Sequence, residues 1–131
     1  MIKLYCLLFS IAEFFGGYGD SLYKKDYLLH ILISKTNNVF HYENDLEPDG
    51  SNFKLSTASN MKTWILYCSN MAAEEKKNLV IVLKIQDTMA LSDNSKRLIE
   101  FIKGQQNYKL AKLTGVEKEM IRISEESMNS E

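Results

Sequence analysis

The apolar positions fall into runs separated by polar breaks, and the spacing within each run predicts an element. Leu4, Leu7, Leu8, Ile11 and Phe15 recur three and four residues apart, which is one face of a helix. Gly16 and Gly17 end it, because consecutive glycines favour a turn. Ser21 then caps a second helix that carries Tyr27, Leu28, Ile31 and Leu32 inward and Lys24, Lys25 and Lys35 outward. Together the two make a helical hairpin. From Thr36 to Asn52 the pattern turns loop-like, with a short strand over Val39–Tyr42 and a turn at Asp49-Gly50.

A third helix begins near Ser56 or Thr57. Its buried stripe is Ala58, Met61, Ile65, Cys68 and Ala72. Glu74-Glu75-Lys76-Lys77 reads as a solvated link. Leu79–Ile85 follows as a strand, apolar on both faces until Lys84 and so covered on both sides. Ser92 or Asp93 caps a fourth helix with Leu98, Phe101 and Ile102 inward, and Gly104 ends it. The remainder, Tyr108 to Ser124, is helical in composition with a break at Thr114-Gly115.

A chain of 131 residues suits one domain, here 1–124, followed by an acidic, fraying tail over 125–131. Its 45% hydrophobic content supplies a core without metal or disulfide. Net charge is −1, but the tail holds Glu125, Glu126 and Glu131 and no base, so the body carries 16 basic against 14 acidic residues. The body is therefore mildly basic, which is compatible with an anionic partner. Cys6 and Cys68 lie in separate apolar runs, outside any C-x-x-C pair, and read as reduced, buried thiols. Ser10-Ile11-Ala12 looks like a cleavage site, but the apolar run before it is short for a signal peptide and far short of a membrane span. The reading is a cytoplasmic protein with an uncleaved first helix.

Candidate chemistry is sparse. His30 sits in an apolar run, as core histidines do. His41 precedes Glu43 by two positions, which places both on one face of a strand without defining a reaction. Gly16-Gly17-Tyr18-Gly19 lacks the strand and the Lys-Ser/Thr of a phosphate loop. Glu43, Asp45, Glu47 and Asp49 alternate but lack the closing Glu of a calcium loop, and read as a solvated acidic loop. The sequence therefore points to no enzyme, no cofactor and no metal. An enzyme built on His41 would show a concave pocket holding that residue and perturbed carboxylates.

The order helix, helix, short strand, helix, strand, turn, helix over about residues 3–103 resembles the winged-helix family of DNA-binding domains. That resemblance implies an α+β fold, mostly helical with a small antiparallel sheet. The helix from Ser56 to about Ala73 would enter the major groove. Leu79–Ile85, a turn at Asp87-Thr88 and Met89–Leu91 would form the wing. The segment from Leu91 resembles the family's closing helix, which implies a homodimer. With the apolar stripe inward, Lys54, Ser59, Asn60, Lys62 and Thr63 would face duplex DNA, and Lys76 and Lys77 would flank the wing. A second segment, 108–124, resembles the helix-turn-helix of phage repressors through Leu110, Ala111, Gly115, Val116 and Ile121. The function these resemblances imply is a small transcriptional regulator. The alternative is a protein–protein interaction module, a subunit or adaptor that presents Tyr18, Tyr23, Tyr42 and Trp64 to a protein partner.

Overall fold

The computed structural model describes residues 25–45 and 48–129. The predicted first helix, the Gly16-Gly17 turn, the Ser21 cap, Cys6, Tyr18 and Tyr23 lie outside them. The fold is α+β, built on a five-stranded mixed sheet in the order β3-β2-β1-β4-β5. The strands are β1 (Asp26–Ile33), β2 (Val39–Glu43), β3 (Lys54–Ser56), β4 (Asn78–Ile85) and β5 (Tyr108–Ala111). The helices are α1 (Ala58–Glu74), α2 (Asp93–Lys103) and α3 (Gly115–Asn129). Strands β1, β2 and β3 form an antiparallel meander, whereas β4 runs parallel to β1 and β5 parallel to β4.

The largest correction concerns Asp26–Ile33, predicted as the second helix and found as the central strand. Its run Tyr-Leu-Leu-His-Ile-Leu-Ile is apolar at nearly every position, so it satisfies helical and strand periodicity alike. Pairing decides. β4 has the same character and aligns with it from Asp26↔Asn78 to Ile33↔Ile85. Alternate residues then serve two layers. Leu29, Ile31 and Ile33 meet Met61, Ile65, Cys68 and Ala72 of α1 and Leu98 and Ile102 of α2 on one face. Leu32, Phe40 and Tyr42 meet Leu113 and Ile121 on the other.

The stripe predicted for α1 is the one buried, and its first turn is capped by Thr57, whose hydroxyl accepts from Asn60 N at 3.1 Å. Ser92 caps α2 in the same way and Gly104 closes it. Cys68 is a free, buried thiol.

The small antiparallel sheet and the wing are also corrected. Both edges of β4 are occupied in parallel, by β1 and β5, and Thr88–Ala90 is a short 3-10 helix rather than a return strand. The segment 108–124 opens with a strand, not a helix, because Tyr108–Ala111 pairs with Ile81–Lys84. The element orders behind both resemblances are therefore not those of the fold. α3 runs through Asn129, into the segment expected as an acidic tail, and Glu125 accepts hydrogen bonds from Thr36 and Asn38.

Candidate functional site

The residues expected to read DNA do not form one surface. Ser59, Asn60 and Thr63 are exposed on α1 as expected. Ser59 and Lys62 line a cleft of about 150 Å³ with Asn94 and Arg97, and the Lys62 ammonium lies 5.9 Å from the centre of the Phe101 ring. Lys54 stands apart on β3. Lys76 and Lys77 lie past the other end of α1, roughly 25 Å away along a 17-residue helix. Lys76 has a left-handed backbone, φ 59°, and its N–H and that of Lys77 close the last turn of α1 on Ala73 O and Ala72 O. Lys77 pairs with Glu75 at 3.2 Å. These two lysines end a helix; they do not flank a wing.

Two polar clusters, one part-buried and one buried, bracket the sheet. On the α1 face, Glu43 Oε2 is 2.9 Å from His41 Nδ1 and accepts from Trp64 Nε1 at 3.0 Å. Burial pushes the Glu43 carboxyl up, but the hydrogen bonds from His41 and Trp64 outweigh it and hold the group below its ordinary range. The shared strand face expected for His41 and Glu43 is thus present. His41 is covered by the Trp64 ring and lines none of the four principal clefts, so the pair ties β2 to α1.

On the opposite face, Glu117 is 1% exposed and is held by Lys84 Nζ, Tyr42 Oη (3.1 Å) and Thr114 N (3.2 Å). Burial raises its carboxyl, and the bonds from Lys84, Thr114 and Tyr42 together bring it below the usual value. His30 stacks on Tyr42 with ring centres 4.3 Å apart, and neither ring nitrogen has a hydrogen-bond partner among the described residues. Burial, helped by the Lys84 charge, pushes its pKa down to about 4.

The cations that do converge come from other segments. The chain leaves β1 toward β2 on one side and β4 toward β5 on the other, so the loops after these neighbouring strands diverge at their carboxyl ends. In open sheets such a reversal leaves a crevice where ligands bind. Here it measures about 330 Å³ and is lined by Lys35, Gln86, Gly115, Lys118, Glu119, Ile121, Arg122 and Glu125. A second hollow of about 220 Å³ shares Gln86 and Lys118 and adds Lys112.

The loops forming this end are fastened together. Lys35 N donates to Gln86 Oε1 at 3.0 Å, and Asn37, at φ 67°, bridges Ala90 O (2.8 Å) and Ser92 N (2.9 Å).

The acids of the crevice are already engaged. Glu119 pairs with Arg122, and Glu125 accepts from Thr36 and Asn38. Burial raises the Glu125 carboxyl, but its hydrogen bonds and the nearby Lys35 charge hold it below its ordinary value. Among the described residues Lys112 and Lys118 form no ion pair, and Lys35 forms none within 4 Å, although its charge acts on Glu125. The α3 N-terminus adds partial positive charge.

Sequence reasoning missed this set, although one signal was available. Thr114-Gly115-Val116-Glu117 is a reciprocal capping box: Glu117 N donates to Thr114 Oγ1 at 3.3 Å and Thr114 N to Glu117 Oε1 at 3.2 Å. Starting α3 there puts Lys118 and Arg122, four apart, on one face.

Among the described residues, no group of three His, Cys, Asp or Glu side chains is placed to hold a metal, and no helix is long and apolar enough to cross a membrane. Comparison of the chain with protein-family models, with curated proteins and with solved structures returned no match.

Proposed function

We propose that the protein binds a phosphate-bearing ligand in the crevice at the carboxyl ends of β1 and β4. The observation that carries this reading is the convergence of Lys35 and Lys118 in the crevice and of Lys112 in the adjoining hollow, with Lys112 and Lys118 in no ion pair among the described residues, beside the N-terminus of α3. Lysine is a point-charge partner for phosphate, and Gln86 adds a polar group to both hollows. A crevice of about 330 Å³ is at the small end of ligand-binding clefts.

Duplex DNA, the partner implied by the sequence, is the second reading. What favours it is the exposed row Ser59, Asn60 and Thr63 beside the cleft shared by Lys62 and Arg97. The regulator role and the dimer are proposals of that reading.

Calorimetric titration with pyrophosphate and with a nucleoside triphosphate, beside anisotropy with a mixed duplex, separates the two. The crevice reading expects the small anions to bind and Lys118→Glu to abolish that binding while Lys62→Glu leaves it unchanged. Duplex binding that falls with salt and is lost in Lys62→Glu supports the DNA reading instead. If neither the small anions nor DNA bind at low salt, both readings are wrong.

A further inference from the structure

The outer edge of β5 carries an independent inference. Among the described residues β5 ends the sheet, and all four of its residues are exposed, Leu110 at 62%. Ile81 N donates to Asn107 O at 3.2 Å, which sets the phase of the ladder. Asn107, Lys109 and Ala111 therefore turn their backbone groups toward β4, while Tyr108 and Leu110 present N–H and C=O outward.

Sheet edges are commonly blunted by proline, by a bulge or by charge. Here the strand runs in unbroken register with β4 and contains no proline, so only its shortness, four residues, and the charge of Lys109 guard it against indiscriminate pairing. Tyr108 and Leu110 are two apart, so both project on one face beside the free edge. From Phe101 to Val116 the chain carries Lys103, Lys109 and Lys112 and no acid.

We propose that this edge is the docking site for an extended acidic segment of another protein, added to the sheet as a sixth strand. Backbone bonds to Tyr108 and Leu110 hold the segment, apolar side chains at alternate positions lie on Tyr108 and Leu110, and acids between them meet Lys109. A second copy of β5 in register about Lys109 is a poorer occupant. Antiparallel self-pairing centred on Lys109 sets that ammonium against its own copy, and like charges directly opposite are destabilising.

The test is fluorescence anisotropy with two labelled synthetic peptides, one alternating valine and glutamate and one alternating valine and lysine. The acidic peptide should bind at least about tenfold more tightly than the basic one, and Lys109→Glu should reverse the order. Leu110→Pro deletes an outward N–H without touching the bonds to β4, and proline is tolerated at such an edge. This variant should lose about tenfold or more in affinity for the acidic peptide. In the wild type, amide exchange should slow at Tyr108 and Leu110 when the acidic peptide binds, a readout that does not depend on the variant folding. Equal affinity for the two peptides, or unchanged exchange at both amides, overturns the proposal. Self-association that Leu110→Pro abolishes overturns it too, assigning the edge to a second copy.

Discussion

Replacing His30 by phenylalanine should remove most of the loss of stability that the protein suffers between pH 7.5 and pH 5. The ring is 6% exposed, stacked on Tyr42, and faced by the charges of Lys84, Glu117 and Glu43. In the unfolded chain it takes a proton below its ordinary value of 6.5, whereas in the fold it stays neutral down to about 4. Across that interval the unfolded state binds more protons, so stability falls as pH falls. At about 1.4 kcal/mol per pH unit, the whole interval is worth about 3 kcal/mol, of which about 2 kcal/mol is already lost at pH 5.

Phenylalanine keeps the stack on Tyr42 and has nothing to titrate. Urea unfolding followed by Trp64 fluorescence, at half-unit steps from pH 7.5 to pH 5, measures both proteins. His41 is common to the two, so the difference between their curves isolates His30. The lowered carboxyls of Glu43, Glu117 and Glu125 add acid sensitivity as pH approaches and passes their unfolded value of 4.5, and being common to both proteins they cancel in the difference. Stability of the variant should be level with wild type at pH 7.5, to within about 1 kcal/mol, and higher by about 2 kcal/mol at pH 5. Parallel curves would refute the reasoning, because His30 would then not be the group held neutral.

The buried ion pair supplies a second prediction. Lys84→Met strands the Glu117 carboxylate and should cost about 3 kcal/mol, whereas Lys84→Met with Glu117→Gln should recover most of it, as a double-mutant cycle in urea would show. In the core between α1 and the sheet, Ile65→Ala should cost about 3 kcal/mol of unfolding free energy, since the fully buried side chain leaves a cavity. At the end of α1, Lys76→Gly should raise stability by roughly 0.5–1 kcal/mol, because glycine adopts φ 59° without steric cost. A melting temperature that falls in Lys76→Gly would show that the side chain, not the backbone, holds that turn.

The chain's local chemistry determined the parts of this fold that can be read within a single element. The stripe Met61, Ile65, Cys68 and Ala72, the caps Thr57 and Ser92, the stop at Gly104 and the strands Val39–Glu43 and Asn78–Ile85 are all legible, because each rests on spacing or capping inside one segment. The shared face of His41 and Glu43 follows from strand periodicity in the same way.

Tertiary structure decided the rest. Tyr27–Ile33 is apolar throughout and carries no period that separates helix from strand; it is a strand because β4 and β2 pair with its two edges. Tyr108–Ala111, exposed and short, is a strand only because β4 offers it a ladder. The same dependence governs the site. Lys35, Gln86 and Lys118 come together because the loops after β1 and β4 diverge and α3 packs Ile121 on the sheet face beside them, an adjacency set by strand order. The lysines on and beside α1 are near in sequence, yet Ser59 and Lys77 stand at opposite ends of a rigid helix. Sequence proximity and spatial convergence are different quantities, and only the packed sheet supplies the second.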